Sequence, residues 1–184
     1  MALRGDTQTA LLNQAQELIQ TQSFLGLTLQ EVADQVGIKK ATIFHYFPSK
    51  EALGLAVMRR SAQAFRHWAE RQSGTPEQQL TGFVRMFRDT LGAGRKVCPA
   101  GAFAPGWDCT DPELQQAVLS LRTDQLAWLT QVFEQSGQPA EAARRSALQV
   151  YALCQGALLT ARVSGNPADF DDAVTGSVQS LLDP

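Results

Sequence analysis

The chain has 184 residues, 44% of them hydrophobic and 18% charged, with a formal net charge of −2. That composition excludes an intrinsically disordered chain, and the lack of any run of roughly 18 apolar residues excludes a membrane-spanning helix; no membrane partner is expected. The polar start MALRGDTQT predicts a cytoplasmic protein, and three cysteines without CxxC spacing (Cys98, Cys109, Cys154) exclude a disulfide framework or a structural zinc site.

Helix signals dominate along the chain. Between Thr7 and Phe24 the apolar residues Leu11, Leu12, Ala15, Leu18 and Ile19 recur at helical spacing. Thr28 followed by Glu31 has the capping-box pattern, Leu29, Val32, Ala33 and Val36 make the next apolar stripe, and Gly37 supplies a stop. A second short helix is predicted from Lys39 to about Tyr46, closed by Pro48; Ser49 then caps a third with Leu53, Val57, Ala64, Phe65 and Trp68. Two short helices around a glycine turn, the second bearing lysines, form a helix-turn-helix pattern. The break Ser73-Gly74-Thr75-Pro76 precedes a helix with Leu80, Phe83, Val84 and Phe87, and residues 95–111 read as irregular. Asp111-Pro112 opens a long helix to about Gln135. A further helix over 139–163 is apolar on two faces: Ala147, Val150, Tyr151, Cys154, Ala157, Leu158 and Ala161 on one, Leu148, Ala152, Leu159 and Val163 on the other. Such a helix must bury both sides, within the chain or against a partner. A last helix is predicted to carry Ala173, Val174, Val178, Leu181 and Leu182. The fold class is therefore all-α, in three parts: a helix-turn-helix domain over 1–48, a connecting helix over 49–72, and a helical domain over 73–184, to which the family resemblance given below assigns effector binding and dimerisation.

Charge is uneven. Residues 37–71 hold seven basic side chains (Lys39, Lys40, Lys50, Arg59, Arg60, Arg66, Arg71) against Glu51 and Glu70, a net +5, whereas from residue 72 onward eight basic face twelve acidic residues. A basic face beside an acidic remainder predicts one end that meets a polyanion. A helix that enters a DNA major groove needs outward side chains that reach base edges and phosphates; here these are Lys39, Lys40, Thr42, Phe44, His45 and Tyr46. Ile38, Ile43 and Phe47 are the inward anchors, and Thr28 and Lys50, near helix N-termini, suit phosphate contacts.

The run TLQEVADQVGIKKATIFHYFPSKEAL, Thr28 to Leu53, resembles the DNA-binding segment of the TetR family of transcriptional regulators, and the resemblance extends in detail over about residues 7–58. It implies an N-terminal three-helix DNA-binding domain and a C-terminal ligand-sensing domain. It also implies a homodimer, formed through the last two helices, that binds a palindromic operator in double-stranded DNA and responds to a small-molecule effector. Thr28, Lys40, Thr42, Phe44, His45, Tyr46 and Lys50 fall on positions that contact DNA in that family. The chain departs from the family pattern at Ser23, where a glycine usually precedes the phenylalanine, at Lys39, where a small residue is common, and at Phe44, where tyrosine is common.

Candidate effector contacts in the sensing half are Phe83, Met86, Phe87, Phe103, Trp107, Leu121, Trp128, Tyr151 and Gln155, because ligand sites are largely apolar with a few polar groups. Cys98 follows Arg95 and Lys96, positive neighbours that favour a thiolate, and is a candidate sensor thiol. Its surroundings, VCPAGAF, look like a cysteine-glycine segment of one TetR branch, some members of which sense electrophiles or oxidants. No metal-ligand spacing, cofactor motif or catalytic grouping is present, so no cofactor and no catalytic residue is expected. Two rival functions fit parts of the pattern: a helical protein–protein adaptor using the two-faced helix, and a thiol-dependent enzyme using Cys98. The leading expectation is a DNA-binding repressor released from its operator by a small molecule or by thiol modification.

Overall fold

Local rules set most helix boundaries. The computed structural model describes residues 4–175, 177, 178 and 181, and among them regular structure is helical throughout. The elements are α1 (Arg4–Gly26), α2 (Leu29–Val36), α3 (Lys40–Ile43), α4 (Lys50–Ala69), α5 (Pro76–Leu91), α6 (Pro112–Gln135), α7 (Ala140–Ser164) and α8 (Ala168–Val174). The Thr28 hydroxyl accepts a hydrogen bond from the Glu31 amide, and Gly37 ends α2 in the left-handed conformation that only glycine adopts without strain. Ser49 caps α4 by accepting from the Ala52 amide at 3.1 Å. Thr75 and Gln78 form a reciprocal capping box at the start of α5, with Pro76 in the first turn, a signal the sequence reading passed over.

Two elements are shorter than expected. The second helix of the helix-turn-helix is regular only over Lys40–Ile43 and then tightens into turns, with the His45 amide on the Thr42 carbonyl and the Tyr46 and Phe47 amides on that of Ile43. The last helix, expected to reach Leu182, ends at Val174. Thr175 turns extended there, its hydroxyl donating back to the Asp171 carbonyl. Val178 lies in a turn beyond that end, and Leu182 lies outside the described residues.

The chain divides into two compact units, Met1–Ala62 with Pro99–Leu121, and Gln63–Cys98 with Arg122–Pro184. In the first, Leu11, Ala15 and Ile19 of α1, Val32 and Ala33 of α2, Ile43 and Phe47, and Leu53 and Val57 of α4 are buried. α1 kinks at Ser23, whose φ of 70° and ψ of 162° lie in a region nearly reserved for glycine. Past the kink, Phe24 stacks on Phe103 with ring centroids 4.8 Å apart. A Cβ at Gly54 would fall 2.6 Å from the Phe24 ring, so the bare backbone of α4 permits this close approach. Arg60 ties α4 to α1, donating to the Leu12 carbonyl, Asn13 Oδ1 and Gln16 Oε1 at 2.7–2.9 Å.

The second unit buries Phe65, Leu80, Phe83, Phe87, Leu129, Val132, Phe133, Val150, Leu158 and Phe170. Arg88 of α5 pairs with Asp171 of α8 at 2.8 Å. Gln138 donates to the Leu181 carbonyl and accepts from the Ser146 hydroxyl. Among the described residues no helix is long and apolar enough to cross a membrane.

Candidate nucleic-acid interface and sensing cluster

Ile43 and Phe47 are buried beside Val32 and Ala33, which fixes the outer side of α3. That outer side carries Lys39 and Lys40, both exposed and without an ion-pair partner among the described residues, and exposed His45; Thr42 and Tyr46 are half-buried. Phe44 is 48% exposed, unusual for a large ring with no polar atom. Thr28 is exposed, with its hydroxyl already capping α2. Lys50, expected on a phosphate, is turned inward: its ammonium donates to the Leu25 carbonyl at 3.1 Å and sits 4.7 Å over the Phe24 ring. Burial lowers its pKa, against the opposing pull of Glu51. Two of its three N–H donors remain for another acceptor.

The basic stretch is less available than its sequence implies. Arg59 pairs with Glu113 at 2.8 Å, Arg66 pairs with Asp124 at 2.7 Å, and Arg60 is held by α1. Free cationic charge near the helix-turn-helix is thereby concentrated on Lys39 and Lys40.

In the second unit, Phe83 is the hub of a ring cluster. It stacks on Trp128 at 5.8 Å and lies 5.0 Å from Phe87 and 6.4 Å from Trp68; Phe87 meets Tyr151 edge-on at 6.3 Å. Burial, the largest influence, raises the Tyr151 phenol pKa above the ordinary value, against the opposing pull of Gln155. Six of the nine effector candidates (Phe83, Met86, Phe87, Trp128, Tyr151, Gln155) belong to this unit. Phe103, Trp107 and Leu121 belong to the first unit, where Phe103 is fully buried on Phe24 and the Trp107 carbonyl accepts from Gln115.

Cys98 is only 2% exposed, so its positive sequence neighbours do not make it a surface thiol. Burial, with Cys98 nearby, pushes the Cys154 thiol up to about 12; Cys109 is the exposed cysteine. A residue absent from the sequence reading also stands out. Gln125 occupies the buried stripe of α6 with Leu121, Leu129 and Val132, is 4% exposed, and its carbonyl oxygen has no hydrogen-bond partner among the described residues. Its signal in the sequence was a polar residue on an otherwise apolar helical stripe. The two faces of α7 separate as their composition implied: the Ala147–Tyr151–Cys154–Leu158 face is buried, while Leu148, Leu159 and Val163 are exposed, Val163 by 80%.

An all-helical chain with a capped helix-turn-helix at its N-terminal end defines a class of DNA-binding regulators, and comparison with known proteins agrees. Residues 11–57 match the family model of bacterial regulatory proteins of the tetR family, and residues 76–175 match that of the LmrA/YxaF-like transcriptional regulator C-terminal domain. The chain belongs to the TetR family of transcriptional regulators, which sets the enzyme reading aside. It is 28% identical over 103 residues to the HTH-type transcriptional regulator EthR of Mycolicibacterium smegmatis, a match covering 54% of this chain and 48% of that one. It is 39% identical over 98 residues to RutR of Escherichia coli K12, covering 48% and 45%. The matches thus span about half the length of these curated relatives. Among solved structures, a TetR transcriptional regulator from Legionella pneumophila superposes with a TM-score of 0.81 at 25% identity, covering 94% of both chains. A TetR-family regulator from Agrobacterium tumefaciens, at 23% identity and a TM-score of 0.83 over 96% of this chain and 97% of that one, shares the fold.

Proposed function

We propose that this protein is a cytoplasmic, homodimeric repressor that binds a palindromic operator and leaves it when a small molecule binds the second unit. The observation that carries the DNA half of this reading is the outer side of α3, where Lys39, Lys40, Phe44 and His45 are exposed while Ile43 and Phe47 anchor the helix. Lys40 and Lys39 meet phosphates, Thr42, His45 and Tyr46 approach base edges, and Phe44 offers apolar contact of the kind a thymine methyl accepts. Thr28 and Lys50 flank this surface. Lys50 acts chiefly by holding the end of α1 and supplies its remaining donors to the backbone.

The dimer reading rests on α7. Its exposed row of Leu148, Ala152, Gly156, Leu159 and Val163 follows helical spacing on the side opposite the buried face. A second copy of α7, joined by α8, would cover it as a four-helix arrangement across a two-fold. Release by a small molecule is favoured over thiol modification because Cys98 is buried.

Binding of the purified protein to its own upstream intergenic DNA, against a scrambled duplex at two salt concentrations, tests the proposal. Sequence-dependent binding that weakens steeply with salt is expected. Equal, weak binding to both duplexes would overturn it and favour a helical adaptor. Leu159→Arg is expected to yield monomers by sedimentation and to weaken operator binding; a dimer that persists unchanged would remove α7 from the interface.

A further inference from the structure

A buried amide oxygen without a partner forfeits its hydration with nothing in return, so such groups are rare and point to something missing from the site. Among the described residues Gln125 Oε1 is one of these, on a residue 96% removed from solvent. Its surroundings follow from helical spacing. One turn earlier on α6, the Arg122 guanidinium lies 5.9 Å from the centre of the Tyr151 ring; one turn later, Trp128 stacks on Phe83. Residues three apart share a helix face, so Gln125 lies on α6 between the residues that make these contacts. Phe87 links the two rings those residues meet, 5.0 Å from Phe83 and 6.3 Å from Tyr151. The orphaned amide oxygen thus belongs to the side of α6 whose neighbours meet rings of α5 and α7, and every residue named lies in the second unit.

We propose that Gln125 is the polar anchor of the effector site and that the effector class is a small aromatic compound bearing an O–H or N–H donor. The ring of the compound packs among Phe83, Phe87 and Trp128, and its donor satisfies the Gln125 amide. This inference rests on the reading of the second unit as the effector-binding unit. It adds the residue that orients the ligand and the hydrogen-bonding character that ligand must have. Selectivity arises as in other apolar sites with one buried polar group: a compound lacking the donor leaves that group unsatisfied and binds more weakly.

The test compares 2-naphthol with 2-methylnaphthalene, which differ by a hydroxyl in place of a methyl of similar size. Binding to the full-length protein is measured directly by equilibrium dialysis, and release of upstream DNA is measured separately. The expected result is roughly tenfold tighter binding of the naphthol to wild type. Gln125→Leu should abolish the preference while still binding the methyl compound, and should melt at a higher temperature because the orphaned group is gone. Gln125→Met serves as a second variant should the branched leucine disturb packing. Equal affinities in wild type, a preference that survives in both variants, or no binding of either compound would overturn the assignment. If the naphthol binds through Gln125 without releasing DNA, the anchor stands and the repressor reading fails. If DNA is released by compounds that show no dependence on Gln125, the repressor reading stands and the anchor fails.

Discussion

The two compact units use their notable side chains in opposite ways. In the first, cations meet internal partners: Arg60 holds α1, Arg59 holds Glu113 and Lys50 holds the Leu25 carbonyl, so the exposed lysines of α3 stand out by contrast. In the second, aromatic rings pack on one another, and the feature that stands out is the buried Gln125 amide oxygen, without a partner among the described residues. Net charge and apolar content therefore say little about where binding occurs. What matters is which groups the fold leaves without an internal partner, because those are the ones free to meet DNA or a ligand.

Phe103 offers the sharpest way to break this comparison, since its sequence context pointed to effector contact while its ring stacks on Phe24 in the first unit. Phe103→Ala is expected to destabilise the protein by about 3–5 kcal/mol in denaturant titrations. Below its unfolding transition it should leave 2-naphthol affinity unchanged; a selective loss of that affinity would return Phe103 to the ligand site. Arg60→Ala should follow at about 2 kcal/mol, because three hydrogen bonds to α1 disappear and the Leu12 carbonyl and the Gln16 side chain lose their donor. A variant with wild-type denaturation would mean that α1 and α4 are held by apolar packing alone.

Lys50 and Lys40 separate the internal use of a cation from the external one. Lys50→Ala should cost about 1 kcal/mol of stability, a figure reduced for partial exposure, and should weaken DNA binding on all sequences. Lys40→Ala should leave the melting temperature in place and lower the salt slope of operator binding by about 1. The reverse pattern, with Lys40 supporting the fold and Lys50 silent in it, would contradict the division drawn here. Ser23→Gly is expected to stabilise by about 1 kcal/mol, relieving backbone that glycine adopts freely.

The second unit also carries a pH signature. The Cys154 thiol ionises near its ordinary value of 9.0 in the unfolded chain but only at about 12 in the fold. The unfolded state therefore sheds its proton first, and stability is full below pH 9 and declines as pH rises toward 12. Urea titrations between pH 8 and 10.5 should show a shallower decline for Cys154→Ala than for wild type. Identical slopes would place the alkaline sensitivity on Tyr151, whose phenol is also raised by burial.

The amino-acid sequence by itself determined the all-helical class, the caps at Thr28 and Ser49, the glycine stop at residue 37 and the two-faced nature of α7, because each follows from interactions within a few residues. Ser23 was legible as a departure from a glycine position, and the positive φ at the α1 kink supplies its physical meaning. Tertiary structure alone decided that Arg59, Arg60 and Arg66 are occupied, that Phe103 joins the first unit, that Cys98 is buried and that the Gln125 carbonyl oxygen lacks a partner among the described residues. Each of those facts depends on residues 44 to 79 positions apart in the chain, or on the burial that many such contacts produce, as with Arg59 and Glu113, 54 positions apart. Spacing along one helix shows which face a side chain occupies, and only packing between helices shows what that face meets.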